Sequence, residues 1–143
     1  MNLLASLKKM FHKPAPPPRP IAAPALESEA EVAPDAIHVP EVATRTVLAD
    51  LNSASPPLLL DVREPYEWRQ VHIVDALHIP MNSIPDRLEE LPRTRPIVVI
   101  CAHGSRSFGV AYFLRERGFD AYNLTGGLTQ WHIHGGAVSI GTG

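Results

Sequence analysis

Two short apolar runs constrain the fold more than any other feature of this chain. They cover residues 58–62 and 96–101, and both are too short for an ordinary helix. Runs of this kind are typical of strands that are buried on both faces of a parallel sheet. Helical patterns alternate with them from Ile37 onward. The alternation predicts βαβ units and therefore an α/β fold in which helices flank a mainly parallel sheet.

Weaker patterns complete the predicted order of elements. Ser83 and Asp86 have the spacing of a capping box before a helix that carries Leu88 and Leu91, and Gly118 closes a strongly apolar helix. The remaining predicted elements are strands at 76–79 and 121–124, a helix whose first turn includes Pro40, a helix over 107–117, and a helix after the Gly126-Gly127 turn.

Proline divides the chain into parts. Seven of its 15 prolines lie between Pro14 and Pro34, in a stretch that has neither aromatic residues nor hydrophobic periodicity. A segment of this composition is expected to be extended and solvated. We therefore predict a disordered Pro-rich linker at 14–36, ahead of one folded domain at 37–143.

Residues 1–13 combine apolar side chains at helical spacing with several basic ones. This pattern predicts a short basic amphipathic helix that can bind a membrane surface or a protein partner. A secretory signal is a competing interpretation, but the charges follow the apolar stretch rather than precede it. The plain alternative is a frayed terminus, because so short a helix is marginal alone.

Charge and cysteine content exclude several function classes. A formal net charge of −2 gives no reason to expect nucleic-acid binding. The sequence contains no run of 18 apolar residues, so it predicts no helix that spans a membrane. One cysteine, Cys101, cannot form an internal disulfide or a cysteine-rich zinc site. His132 and His134 lack partners at metal-ligand spacing, so we predict neither metal nor cofactor. A reduced thiol agrees with a cytoplasmic location, with peripheral membrane contact through residues 1–13 as an addition.

The position of Cys101 favours a chemical role. It ends a predicted buried strand just before a tight loop and a helix, and ligands of open α/β sheets bind at this edge. Backbone N–H groups of the loop, the helix dipole and Arg106 all favour an anion there. The same field stabilises a thiolate and makes the sulfur nucleophilic. The alternative is an inert cysteine that ends a core strand.

At these residues the sequence resembles the single-domain form of the rhodanese family of sulfurtransferases. Three segments carry the likeness, in family order, over about 107 residues from Ile37 to the terminus. They are LDVREPYEW at 60–68 with its continuation to Pro80, CAHGSRS at 101–107, and LTGGL at 124–128 with Trp131 and Gly135.

The resemblance implies that Cys101 is the catalytic nucleophile and carries a persulfide. Thiosulfate or a related compound would be the sulfur donor, and a thiol or cyanide from outside the chain the acceptor. Asp61, Arg63 and Ser107 would support the active-site loop, although Arg63 could instead form a surface ion pair with Glu64 or Glu67. The substrate-binding residues implied by the likeness are Ala102, His103, Gly104, Ser105 and Arg106.

Two other functions stay open. A phosphatase or arsenate reductase of the same fold has five residues between its cysteine and arginine, whereas four separate Cys101 from Arg106, which leaves a loop better suited to a sulfur atom. A catalytically weak binding or sulfur-relay module, localised by its N-terminal segment, is the second alternative. The sequence also departs from the family pattern at Val71, at Val74-Asp75 and at His103, which leaves donor preference open.

Overall fold

A computed structural model of the protein describes residues 36–141. Five parallel strands form the central sheet in the order β1-β6-β5-β2-β4, and β3 pairs with β7 in a separate antiparallel ribbon. The elements are β1 (Glu41–Val42), α1 (Thr44–Asp50), β2 (Leu58–Asp61), α2 (Pro65–Gln70), β3 (His72–Ile73), β4 (Leu77–His78), two 3₁₀ helices (Met81–Asp86 and Leu88–Glu90), β5 (Ile97–Ile100), α3 (Ser105–Glu116), β6 (Ala121–Leu124), α4 (Gly127–Ile133) and β7 (Val138–Ser139).

The two apolar runs form the centre of the sheet, as the sequence predicts. Strands β2 and β5 pair over their whole length, from Leu58 with Ile97 to Asp61 with Ile100. Alternate residues enter two separate cores: Leu60 and Val99 pack in the cluster that contains helix α3, whereas Val98 packs with α1 and α4. Helices therefore cover both faces of a parallel sheet, and the predicted α/β fold class is confirmed.

The first helix starts later than predicted. Residues Glu41 and Val42, expected in its first turns, instead form β1 along the edge of β6. The Asn123 and Thr125 N–H groups donate to the carbonyls of Pro40 and Val42, both at 3.0 Å. Without β1 the N–H groups of Asn123 in β6 and of Thr125 just after it would lack these backbone partners, and this long-range pairing outweighs the local helical pattern.

The helix predicted after Ser83 is wrong in type. Two 3₁₀ helices occupy the segment, and neither has a side-chain cap hydrogen bond. Pro85 lies inside the first of them, has no N–H to donate and disfavours the α conformation at the residue before it. Ile84 still points into the core, so the segment buries its apolar side chains without an α-helix.

Most other predicted boundaries differ from the observed ones by one or two residues. The helix predicted at 107–117 begins at Ser105, and Gly118, at φ +87°, follows its last turn. Helix α2 and the β3–β7 ribbon were not anticipated from the sequence. Next to the ribbon, Asp75 adopts a left-handed φ of +66°, a conformation that aspartate tolerates better than most residues.

The predicted helix at 1–13 and almost all of the linker predicted at 14–36 lie outside the described residues. Within 36–141, no helix is long and apolar enough to cross a membrane. The same residues contain no group of three or more His, Cys, Asp or Glu side chains arranged to hold a metal ion.

The Gly126-Gly127 turn joins β6 to α4 and packs against the end of β5. Both glycines have positive φ, +75° and +57°. The first amides of α4 bind the loop after β5: Leu128 N–H donates to the Cys101 carbonyl at 2.9 Å, and Thr129 N–H to the Ala102 carbonyl at 3.2 Å. A Cβ at Gly127 would lie 2.7 Å from the carbonyl carbon and oxygen of Ala102.

We predict that Gly127→Ala lowers the free energy of unfolding by about 3 to 5 kcal/mol, because it combines left-handed strain with a backbone clash. Gly135→Ala is the matched control: its φ is +76°, but a Cβ there meets nothing within 4 Å. The control should lose only about 1 to 2 kcal/mol from strain. Denaturant unfolding measures both, and equal losses would show that the close approach at Gly127 costs nothing.

Candidate active site

Cys101 lies immediately after β5, at the carboxyl edge of the sheet, and is 1% exposed. The loop turns at Gly104, whose φ of +105° precedes helix α3. This conformation is open to glycine and strained for other residues. The predicted arrangement of strand, tight loop and helix is therefore present, and it folds the loop back over the sulfur.

Two hydrogen-bond partners lie against the sulfur. The Gly104 N–H donates to Sγ at 3.1 Å, and the Ser107 hydroxyl oxygen is 3.2 Å from Sγ. Burial raises the pKa of Cys101, but the hydrogen bond between Cys101 and the Ser107 side chain and those with the backbone N–H groups of Ser107, Gly104 and His103 outweigh it, so the pKa lies below the ordinary thiol value. The thiolate is thus more abundant at neutral pH than in a free cysteine.

The loop is fixed from outside by neighbouring elements. Besides the bonds from α4, the Thr129 hydroxyl donates to the Ala102 carbonyl at 3.2 Å, and the Asn123 side-chain N–H donates to the Gly104 carbonyl at 2.9 Å. These contacts occupy carbonyls of the loop. The N–H of Gly104 donates to Cys101 Sγ, and the N–H groups of His103 and Ser107 also lower the pKa of the thiol, which suits an anionic sulfur.

Arg106 forms a two-point ion pair with Glu67 on α2. Its Nη1 and Nη2 atoms lie 2.7 and 2.9 Å from the two carboxylate oxygens. The hydrogen bond from Arg106 lowers the pKa of Glu67 to about 2, against the opposing effect of burial, and the hydrogen bond to Glu67 raises the pKa of Arg106. Arg106 is 32% exposed, so part of its guanidinium faces solvent at the rim.

Asp61 and Arg63 form a buried pair of their own. Arg63 Nη2 lies 2.8 Å from Asp61 Oδ2, and the side chains are 3% and 0% exposed. Arg63 also donates to the Val71 carbonyl at 2.7 Å and to the Glu67 carbonyl at 3.4 Å. The surface pairing of Arg63 with a glutamate side chain, left open by the sequence, is therefore not found. Arg63 instead anchors α2, which carries the partner of Arg106.

The remaining residues of the predicted site have distinct environments. His103 and Ser105 are exposed, and His103 Nδ1 lies 3.2 Å from the Thr129 hydroxyl. Ser107 is fully buried and donates to Asn123 Oδ1 at 2.5 Å. The structure thus brings Cys101, Gly104 and Ser107 into direct contact, while His103 and Ser105 lie on the outer side of the loop.

Sequence inspection missed two contributors. Glu67 carried a signal, since Glu64 and Glu67 form the capping box of α2, but nothing along the chain indicated its pairing with a residue 39 positions away. Asn123 carried no local signal, because a single asparagine in a strand has no distinctive pattern. Trp68 stacks on His72 with ring centroids 3.7 Å apart.

An apolar cavity of about 350 Å³ opens beside the loop. It lies within the size range of small-molecule sites. Ala102 belongs to its lining, so the cavity adjoins the loop that follows Cys101. Its walls are formed by Val71, Ala102, Leu128, Thr129, His132, Ile133 and Val138.

Known proteins share both the sequence and the fold of this domain. A sulfurtransferase of Allochromatium vinosum is 37% identical over 98 residues, which cover 68% of this chain and 92% of that protein. The thiosulfate sulfurtransferase GlpE of Pseudomonas syringae is 39% identical over 75 residues, 52% of this chain and 71% of that one.

Solved structures agree with the sequence relatives. A rhodanese-like domain protein from Staphylococcus aureus superposes with a TM-score of 0.67 at 31% identity and covers 73% of this chain and all of that one. A rhodanese-related protein from Thermoplasma volcanium gives a TM-score of 0.65 at 28% identity, over 71% of this chain and 98% of that one. The sequence model of the family described as the rhodanese-like domain matches residues 44–134 of this chain. The chain therefore belongs to the rhodanese family, whose curated relatives include sulfurtransferases.

Proposed function

We propose that this protein transfers the outer sulfur of thiosulfate, or of a related donor, to an external thiol or to cyanide through a persulfide on Cys101. The observation that carries the proposal is the environment of Sγ. A thiol at the carboxyl edge of the sheet accepts the Gly104 N–H at 3.1 Å inside a loop bounded by Arg106. Such a site stabilises a thiolate before attack and a persulfide anion after it.

The chemistry is a pair of displacements at sulfur. The Cys101 thiolate attacks the outer sulfur of thiosulfate, a new S–S bond forms, and the bond to the sulfonate sulfur breaks so that sulfite leaves with the electron pair. An acceptor thiolate then attacks the terminal sulfur of the persulfide. The S–S bond between Cys101 and the transferred sulfur breaks, the acceptor leaves as its own persulfide, and the Cys101 thiolate is regenerated. Cyanide as acceptor leaves as thiocyanate.

The sequence supports an external acceptor. Cys101 is the only cysteine of the chain, so no second thiol within these 143 residues can attack the persulfide and resolve it as a disulfide. The acceptor must therefore reach the rim of the loop, beside the apolar cavity. The proposed reaction requires no metal and no organic cofactor, because the sulfur itself accepts and donates the electron pairs.

In the proposed reaction Arg106 orients the sulfonate end of the donor. A guanidinium has five N–H donors, and two of its nitrogens bind Glu67 at the rim. Glu67 fixes the plane of the guanidinium and offsets part of its charge. The donors that remain can bind sulfonate oxygens while the outer sulfur points toward Sγ.

Replacing Cys101 tests the nucleophile. Incubation with thiosulfate should increase the mass of the parent protein by one sulfur atom, mapped to Cys101 by peptide mass spectrometry, and Cys101→Ser should gain none. The variant should also lose sulfite release, because a serine hydroxyl is a far weaker nucleophile than a thiolate. Parental turnover by Cys101→Ser, or hydrolysis of an aryl phosphate faster than thiosulfate cleavage, would refute the proposal.

Replacing Arg106 tests donor binding. Arg106→Gln removes charge-assisted hydrogen bonds, so kcat/KM for thiosulfate should fall by about 10- to 100-fold. Arg106→Lys should fall between the parent and Arg106→Gln, because it keeps the charge but not the planar fork. The control is Arg117→Gln, which removes the same charge just beyond the far end of α3. Unchanged kcat/KM in Arg106→Gln would remove this residue from donor binding.

A further inference from the structure

A chain of hydrogen bonds leads from Cys101 through Ser107 and Asn123 to the edge of the sheet. Cys101 Sγ is 3.2 Å from Ser107 Oγ, and Ser107 Oγ is 2.5 Å from Asn123 Oδ1. Asn123 Nδ2 then donates to Glu41 Oε1 at 3.1 Å and to the Gly104 carbonyl at 2.9 Å. Asn123 is 2% exposed, Cys101 is 1% exposed and Ser107 is fully buried, so solvent does not compete for the contacts among these three side chains.

The orientation of the Asn123 amide follows from its neighbours. A carbonyl and a carboxylate only accept hydrogen bonds. The side-chain atom of Asn123 that faces Glu41 and Gly104 must therefore be Nδ2, which donates one N–H to each. A reversed amide would place Oδ1 against two acceptor oxygens. The oxygen therefore faces Ser107, and it too can only accept.

The hydroxyl proton of Ser107 consequently has two possible acceptors, Asn123 Oδ1 and Cys101 Sγ. A hydroxyl has one proton to donate, and at 2.5 Å from Asn123 Oδ1 that proton is directed at the asparagine. Toward Cys101 the serine oxygen then offers a lone pair, which accepts the S–H of the thiol. When Cys101 loses its proton, the hydroxyl must turn toward Sγ to stabilise the thiolate, and it leaves Asn123 Oδ1 buried without a donor.

We propose that Asn123 is a positioning residue that competes with Cys101 for the Ser107 proton and thereby sets how readily the thiolate forms. The proposal deepens the sulfurtransferase function proposed above and rests on it for its significance. Its physical content concerns the free protein alone. With Asn123 present, each ionisation of Cys101 costs one buried hydrogen bond, and without Asn123 that cost disappears.

Other charges near the site remain in place when Asn123 is changed. Arg106 and Glu67 pair at the rim, and Asp61 pairs with Arg63 at the end of β2. His103 contacts Thr129 on the outer side of the loop, and Glu41 is exposed to solvent. Of these groups only Glu41 contacts Asn123, from which it accepts one hydrogen bond. Asn123→Leu removes that bond whether residue 107 is serine or alanine, so its effect on the thiol cancels when the two backgrounds are compared.

The experiment is a titration of Cys101 in four proteins: the parent, Asn123→Leu, Ser107→Ala and the double variant. The ultraviolet absorbance of the thiolate is followed against pH, with Cys101→Ser as the blank. Leucine fills the volume of asparagine without accepting a hydrogen bond. Asn123→Leu should lower the thiol pKa by about one unit, the equivalent of one hydrogen bond. The acid limb of kcat/KM for thiosulfate should move to lower pH by the same amount.

The double variant separates competition from loosening of the loop. Ser107→Ala removes the hydroxyl proton for which Cys101 and Asn123 compete, so adding Asn123→Leu to this background should not lower the thiol pKa. Any pKa change that comes from losing the contact between Asn123 and the Gly104 carbonyl is then measured without the competition. A rise or no change in Asn123→Leu, or an equal shift in both backgrounds, overturns the proposal. Asn123→Ala provides a second variant if the leucine does not fold, and Tyr122→Leu, at the neighbouring position of β6, should leave the pKa unchanged.

The titration requires no turnover and therefore separates this proposal from the proposed function. A pKa shift in an inactive protein would support the role of Asn123 and refute sulfur transfer. A persulfide formed on Cys101 with no shift in Asn123→Leu would do the reverse.

Discussion

The burial of β5 on both faces is the constraint on which the site depends. Ile97 and Val99 face one core and Val98 and Ile100 the other, so this strand can neither slide nor rotate without exposing apolar surface. Its end is therefore a fixed point in the molecule. The thiol that follows it inherits this position, and a short loop suffices to surround the sulfur with donors because its starting point does not move.

Charge is distributed around this fixed point in two steps. The buried pair of Asp61 and Arg63 lies at the end of β2 and binds the carbonyls of Glu67 in α2 and of Val71 just after it, and α2 in turn presents Glu67 to Arg106. A residue on one strand thus influences a guanidinium on a helix beyond the next strand. Because both pairs are neutral overall, the rim of the site carries less positive charge than the arginines alone would give it.

The sequence was sufficient to predict the parts of the site that are local. Cys101 and its loop lie within seven consecutive residues, directly after a strand with a strong apolar pattern, and the predicted order of strand, loop and helix is present. The roles of the loop residues in catalysis stay predictions. Glu67 and Asn123 depend on contacts across 39 and 16 positions, which no single segment encodes. The error at Pro40 has the same origin, since pairing with β6 outweighed a local helical signal. The error at Ser83 is local, because Pro85 disfavours an α-helix in its own segment.

The close approach of Gly127 to the loop has a consequence for how such a sequence can vary. The atoms that a side chain at Gly127 would meet belong to the backbone of Cys101 and Ala102, and backbone atoms are present whatever residue occupies those positions. No substitution elsewhere can make room by becoming smaller. A side chain at Gly127 therefore cannot be accommodated by a smaller side chain at a second position. The Gly126-Gly127 turn and the loop after Cys101 are expected to be retained together or lost together.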